Sequence, residues 1–243
     1  MVRKKSNKPL LSHGCGYVVA IDGPAGAGKS TVSKQLAEAL GGKLMDTGAM
    51  YRSVAYYAVK QGVEGPKELS RIARGLSFSV DPKSETLLVN GEDLGLKLRT
   101  ERVSQMASSI SRYRGVRSAL TKQQRKLAKV WSKRIPVVVE GRDIGTVVFP
   151  NVPFKFYVTA DPKVRAERRY HQLKRNGATV TLKEILEQNE NRDRQDSTRK
   201  LAPLRCPEDA VVVDTSSMGI TQVVKFMRDH IRAHVTLPNI QKR

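Results

Sequence analysis

Three features of this 243-residue sequence predict an α/β fold built on a parallel sheet. Short apolar, β-branched runs alternate with stretches of helical spacing. A glycine-rich turn joins the first run to the first helix. One internal stretch switches to period-two alternation, which marks an insertion. Strands that alternate with helices pair in parallel, because each helical crossover returns the chain to the same end of the sheet and covers its faces. At 39% apolar and 28% charged residues the chain has the make-up of an ordinary soluble globule. Its length suits one domain with an insertion better than two full domains.

The elements follow in chain order. Tyr17-Val18-Val19-Ala20-Ile21 reads as a buried strand ending at glycines. Val32, Leu36, Ala39 and Leu40 keep helical spacing, and Gly41-Gly42 stops that helix. Lys43 to Asp46 is a second short strand, with Thr47 the expected N-cap of a helix carrying Met50, Val54 and Tyr57 and ending near Gly62. Leu76, Phe78 and Val80 then alternate, Asp81-Pro82-Lys83 turns the chain, and Thr86 to Val89 leads into Asn90-Gly91, a strong hairpin signal. Residues 63–104 are therefore expected to form a small antiparallel insertion. Helical spacing returns at Val116, Leu120, Leu127 and Trp131. Strands are expected at 137–140, 154–158 and 210–214, with helices at about 162–176, 182–197 and 220–235.

Gly23-Pro24-Ala25-Gly26-Ala27-Gly28-Lys29-Ser30 satisfies G-x-x-x-x-G-K-[ST] between a strand and a helix, the context that the chemistry of a P-loop requires. Glycines let the backbone curl until several N–H groups face one anion, and the positive end of the next helix adds to their pull. Lys29 sets a compact positive charge beside the β- and γ-phosphates of a nucleoside triphosphate, and the Ser30 hydroxyl suits Mg²⁺. An N-K-x-D guanine reader is missing, which argues against a switch GTPase. Glu140 ends a strand where an acid would hold Mg²⁺ through water. The alternative is a strand-end carboxylate satisfied by solvent.

The net charge of +21 invites nucleic acid, yet aromatic residues are only 5% and none interleaves with the basic runs as a base-stacking platform would. The other reading is a solvated face plus a site for mononucleotide phosphates. Residues 1–16 are basic and lack the apolar stretch of a secretory signal. They are expected to be a flexible solvated tail, with an organelle transit peptide the alternative. Cys15 and Cys206 and four histidines form no disulfide framework or metal-ligand spacing, which points to a reducing, cytoplasmic setting. No apolar run approaches the ~18 residues that span a bilayer.

Three segments beyond the P-loop carry a resemblance. Asp46-Thr47-Gly48-Ala49-Met50-Tyr51-Arg52, the run from Glu140 through Gly141-Arg142-Asp143-Ile144-Gly145-Thr146 to Pro150, and Arg192-Asp193-Arg194-Gln195-Asp196-Ser197-Thr198-Arg199 with Ala202-Pro203-Leu204 resemble, in order, the motifs of bacterial-type cytidylate kinases. That resemblance covers about residues 17–235. It implies transfer of the ATP γ-phosphoryl group to CMP or dCMP with Mg²⁺, on a P-loop NTPase fold with a five-stranded parallel sheet. The 63–104 insertion would bind the monophosphate, and a short lid would lie at about 165–178. A single kinase domain over 17–243 is expected, as a monomer without a specific nucleic-acid or membrane partner.

Carried over by position, Thr47, Arg52, Arg142 and Arg199 resemble holders of the acceptor phosphate, with Tyr51 lining the same pocket. Ser108, Arg117 and Asp143 resemble the readers of cytosine, although Ser109 and Ser111 stand close enough to compete with Ser108. Arg192 and Asp196 resemble holders of the sugar hydroxyls. ATP is assigned to residues 23–30, Thr31, Arg165 and Arg168, and catalysis to Lys29, Arg142, Arg192 and Arg199. Phosphoryl transfer is mostly positioning and charge neutralisation, for which the permanently charged, bidentate guanidinium is suited. A competing reading makes Asp143 a mere orienter of Arg142 or another arginine. Among other functions, a monophosphate kinase preferring UMP or AMP and an RNA-binding protein with a vestigial P-loop remain as rivals.

Overall fold

The computed structural model describes residues 11–12, 16–81, 86–175 and 177–236. Its centre is a parallel five-stranded sheet in the order β3 (Lys43–Asp46), β7 (Val137–Glu140), β2 (Val18–Asp22), β8 (Phe154–Thr159), β9 (Val211–Asp214). Every residue of β2 is buried, as a central strand covered on both faces requires. Period two splits its side chains: Val19 and Ile21 join Val32 and Leu36 of α1 (Lys29–Ala39) and Val223 and Met227 of α8 (Ile220–Arg232). Val18 and Ala20 face the other way, with Ala128 of α5 (Arg114–Trp131) and Ile144 and Val148 of the wide turn Ile144–Val148. Leu36 is fully buried, so trimming it to alanine would cost about 2–5 kcal/mol.

Register sets the site. Asp46 pairs with Glu140, and Glu140 pairs with Ile21, so the carboxyl ends of β3, β7 and β2 align and bring Asp46, Glu140 and Asp22 to one edge of the sheet. Ligands of open α/β sheets bind outside that edge.

The remaining elements adjust several expectations. Thr47 does not cap α2 (Thr47–Gln61); the Asp46 carboxylate does, accepting from the Ala49 N–H at 2.8 Å, which leaves Thr47 in the first turn. The insertion is only partly antiparallel. It opens with a helix, α3 (Pro66–Gly75), whose Leu69 and Ala73 are buried, and closes into α4 (Glu101–Ile110). Between them lies the three-stranded sheet of β4 (Phe78–Val80), β5 (Leu87–Val89) and β6 (Glu92–Asp93). Asn90 and Gly91 both take positive φ, 53° and 83°, and join β5 to β6 as the mirror-image turn that matches strand twist. The turn expected at Pro82 and Lys83 lies outside the described residues.

In the lid region, α6 (Pro162–Arg175) and α7 (Leu182–Thr198) are helices, and a capping box of Thr181 and Glu184 starts α7. The tail residues 1–10 and 13–15 lie outside the described residues. Leu11–Ser12 (β1) pairs in parallel with Val235–Thr236 (β10), so that part of the expected flexible tail is tied to the chain's other end.

Candidate active site

The P-loop leaves β2 through Gly23, at φ 145°; a Cβ there would stand 1.9 Å from the Val158 carbonyl oxygen, so only glycine fits. Gly26 and Gly28 are left-handed at φ 75° and 84°, and Gly28 caps α1, whose first turn holds no acid to cancel its positive end. Pro24 and Ala25 are buried, as is Ala27. Thr31 is exposed on the first turn of α1. Lys29 is buried, and its ammonium donates to the Pro24 carbonyl at 2.6 Å. Burial first, then the Arg142 charge, holds its pKa well below the usual lysine value. A bound polyphosphate would remove that penalty.

Ser30 Oγ donates to Glu140 Oε1 at 2.8 Å, while Glu140 Oε2 is buried with no partner. Burial, then repulsion from Asp46, pushes the Glu140 carboxyl up to about 7. A hydroxyl oxygen beside an orphaned carboxylate oxygen fits a cation of Mg²⁺ type, which keeps several waters and takes its other oxygens from substrate phosphates. Among the described residues no cluster of three or more His, Cys, Asp or Glu side chains makes an all-protein cage.

Across the sheet edge stand the residues assigned to the acceptor. Thr47 is buried and its hydroxyl donates to the Glu140 carbonyl at 2.7 Å, so its one proton is already used. Arg52 donates to Asp46 Oδ2 at 2.8 Å, and its Nε has no partner. Arg142 Nε donates to Asp196 Oδ2 at 3.1 Å, and Arg199 reaches Asp196 Oδ1 at 3.3 Å and Asp143 Oδ1 at 3.7 Å. Arg117 makes a short hydrogen bond to Asp143 Oδ2, donates to the Ser111 carbonyl at 3.1 Å, and lies 5.7 Å from the centre of the Tyr51 ring. Burial pushes the Tyr51 hydroxyl up to about 12, keeping it a neutral donor.

Asp143 thus pairs with Arg117 and Arg199 while Arg142 pairs with Asp196, so of the partners that the orienting reading allowed, Asp143 takes other arginines and not Arg142. Ser108, half-buried, donates to Gln195 at 3.2 Å, while Ser111 stands 3.4 Å from Arg199. Ser108 and Ser111 both border the cluster; Ser109 is exposed.

The electrostatics are lopsided. Burial, then Arg142, lowers Arg192 to about 10; burial, then Arg117, lowers Arg199. Guanidinium nitrogens of Arg52, Arg192 and Arg199 are buried without a hydrogen-bond partner. Buried donors are nearly always satisfied in a folded protein, so this gathering of repelling cations with unpartnered donors is a candidate anion site.

Arg165 and Arg168, assigned to ATP, have their guanidinium groups engaged within the protein. Arg165 is buried and spends its donors on Ala160 O at 3.0 Å, Ala25 O at 2.9 Å and Asp193. Arg168 donates to Thr215 Oγ1 and O at 2.9 and 2.6 Å, and Thr215 in turn reaches Ala27 O at 3.3 Å. Both brace the P-loop from behind. Arg169, exposed less than a loop residue would be, reaches only Gln172 at 2.9 Å.

Two positioning acids escaped the sequence reading. Asp22 accepts the N–H groups of Ile144 and Gly145 at 2.8 and 2.7 Å and so pins the turn that carries Asp143. Burial pushes it up to about 6 despite those bonds. Asp193 accepts from Ala25 N at 3.0 Å. The strand-end position of Asp22 was a usable signal; Asp193 stood within the Arg192–Arg199 motif without a role, since only folding brings it to the loop.

Comparison with known proteins adds the following. A family model described as cytidylate kinase matches residues 19–233. The chain is 42% identical over 221 residues to the cytidylate kinase of Citrifermentans bemidjiense, covering 89% of this chain and 93% of that one. It is 43% identical over 216 residues to the cytidylate kinase of Caldanaerobacter subterraneus subsp. tengcongensis, covering 88% and 94%. Among solved structures, an uncharacterized protein from Eubacterium ventriosum superposes with a TM-score of 0.50 at 13% identity, over 89% of this chain and 98% of that one, a likeness of fold alone.

Proposed function

The chain belongs to the cytidylate kinase family, and from that premise we propose how its residues divide the work. It transfers the γ-phosphoryl group of ATP to CMP or dCMP, giving CDP or dCDP and ADP. An oxygen of the acceptor monophosphate attacks the γ-phosphorus, and the bond to the β,γ-bridging oxygen breaks with ADP leaving. The observation that carries the reading is the set of buried guanidinium nitrogens of Arg52, Arg192 and Arg199 that have no hydrogen-bond partner.

The placement of these residues supports the following division of roles. Residues 23–31 hold the ATP phosphates through inward N–H groups and Lys29. Arg52, Arg142 and Arg199 hold the acceptor phosphate and offset its repulsion from ATP. Arg142, Arg192 and Lys29 neutralise charge on the transferring group, because their mutual repulsion relaxes only when anions arrive. Asp143 and Arg117 read the base, with Ser108 at the rim and Tyr51 as a wall; Asp196 and Arg192 face the sugar. Thr47 joins the acceptor phosphate by turning its proton away from Glu140. Ser30, and Glu140 through water, would hold Mg²⁺, which when bound would offset the charge of the phosphates. Arg165 and Arg168 support ATP indirectly, by holding the loop that grips it.

A coupled assay of ADP formation with CMP, dCMP, UMP and AMP tests the assignment. The expected order places CMP and dCMP well ahead. A faster rate with UMP or AMP would move the base preference elsewhere in the kinase class, and no turnover with any acceptor would overturn the reading.

A further inference from the structure

We propose that Asp193 is a positioning residue for the P-loop lysine, acting through a single peptide group; this rests on the reading of Lys29 as the phosphate-binding lysine. The group is the Pro24–Ala25 peptide. Its carbonyl accepts from Lys29 Nζ at 2.6 Å, and its N–H donates to Asp193 Oδ1 at 3.0 Å. A trans peptide is a rigid plate whose C=O and N–H point in opposite directions, and this chain has no cis peptide among the described residues. Aiming the N–H at Asp193 therefore aims the carbonyl at Lys29. A carboxylate on the N–H also polarises the plate, making its carbonyl oxygen a better partner for an ammonium.

The loop needs such an external hold. Its tip lies between two left-handed or near-extended glycines and belongs to neither the β2 ladder nor the α1 ladder. The next peptide is held as well: Ala25 O accepts from Arg165, whose guanidinium also pairs with Asp193 Oδ2. Ala25 is thus fixed at both its N–H and its C=O, one by α7 and one by α6. Arg192 and Asp196 of the acceptor cluster flank Asp193 on α7, so one helix touches both phosphate sites. Movement of α7 when the acceptor binds would be passed to Lys29 through the plate.

A purely structural ion pair between α6 and α7 is the alternative, and two substitutions separate them. Asp193→Ala removes both the acceptor for Ala25 N–H and the partner of Arg165. Asp193→Asn keeps an acceptor oxygen and loses only the charge pair. The proposal expects Asp193→Ala to cut kcat/KM for ATP about ten- to a hundredfold, the range of a small misplacement of a reacting group. KM for CMP at saturating ATP should stay close to the native value, and Asp193→Asn should recover most of the loss. Amine-directed labelling of Lys29 without nucleotide should quicken in Asp193→Ala and stay slow in Asp193→Asn. If Asp193→Ala fails to fold, Asp193→Asn carries the test by itself: kcat/KM for ATP close to the native value is expected, and a loss of about tenfold or more would overturn the proposal. Equal losses in Asp193→Ala and Asp193→Asn, or unchanged ATP kinetics, would overturn the proposal. Lys29→Met serves as the control: if it stays active, the P-loop reading itself falls, whereas an inactive Lys29→Met beside a normal Asp193→Ala removes only Asp193.

Discussion

Single side chains decide the chemistry here. Lys29→Met should nearly abolish turnover, by about 10²-fold or more, with unchanged circular dichroism, because it withdraws a preorganised charge from the transferring phosphates. Near-normal turnover would contradict that role. Cytosine and uracil differ chiefly at position 4, amino against carbonyl, and an ionised carboxylate only accepts. Asp143→Asn should therefore lower kcat/KM for CMP much more than for UMP; equal losses would leave Asp143 as an orienter of Arg117 and Arg199 alone. Glu140 supplies a pH test. Its folded pKa of about 7 lies above the ordinary 4.5, so its contribution to stability is full below about pH 4.5 and is lost as the pH rises through about 7. Glu140→Gln should gain in melting temperature relative to the native protein between about pH 5 and about pH 8 without nucleotide, and a constant difference would argue against a strained carboxylate. Lys29, Glu140 and the arginines were legible because motif spacing names them. The use of Thr47's proton and the bracing by Arg165 were not, since a hydrogen bond across ninety or more positions has no local signature.

Among the elements, long strongly patterned ones were read well: β2, β3, β7, β8 and β9, together with α5, α7 and α8, lie within a few residues of expectation. The insertion was read as a sheet because its alternating residues are conspicuous. Its α3 and α4 were missed; α3 is short, with few apolar residues, and α4 shows only a sparse apolar stripe of Val103, Ala107 and Ile110. Both are helical because that stripe meets the separate core of Met50, Leu69, Val116 and Leu120. Two cores line the faces of the sheet and a third lies under the insertion, a separation that favours movement between sheet and insertion. Water competes as an acceptor for the γ-phosphoryl group, so closure on the paired substrates is expected. Amide exchange in residues 62–91 and in the exposed turns of α6 should slow with a bisubstrate analogue; unchanged exchange in both segments would count against closure.

On the scale of the molecule the outstanding feature is charge. Between residues 102 and 139 there are ten Lys and Arg and no Asp or Glu. Arg117 turns inward to Asp143, while Arg114, Lys122, Lys126 and Lys129 stay exposed along α5, and Arg114, Lys122 and Arg125 line an open cleft of about 640 Å³. RNA should bind this surface weakly and with steep salt dependence, as counterion release dictates. Sequence-selective binding at nanomolar concentration in about 150 mM salt would instead give the face a specific nucleic-acid role. Deleting residues 1–16 removes β1, which pairs with β10, and steady-state kinetics should hold; lost CMP phosphorylation would place the tail in the site. No helix among the described residues is long and apolar enough to cross a membrane.

From the sequence alone came the α/β class, the P-loop between the first buried strand and its helix, and, through the family resemblance, the motifs that hold the candidate phosphate-binding cations. Each of these is written in residues close together in the chain, where periodicity and motif spacing act. Tertiary structure alone decided which charges are partnered and which are idle. Asp143 is shared by Arg117 and Arg199, Asp196 by Arg142 and Arg199, and Asp193 is set against the P-loop tip 168 positions away. The reason is physical: a charge's pKa and availability depend on burial and on neighbours within a few ångströms, and those neighbours are chosen by strand register and helix packing rather than by order along the chain.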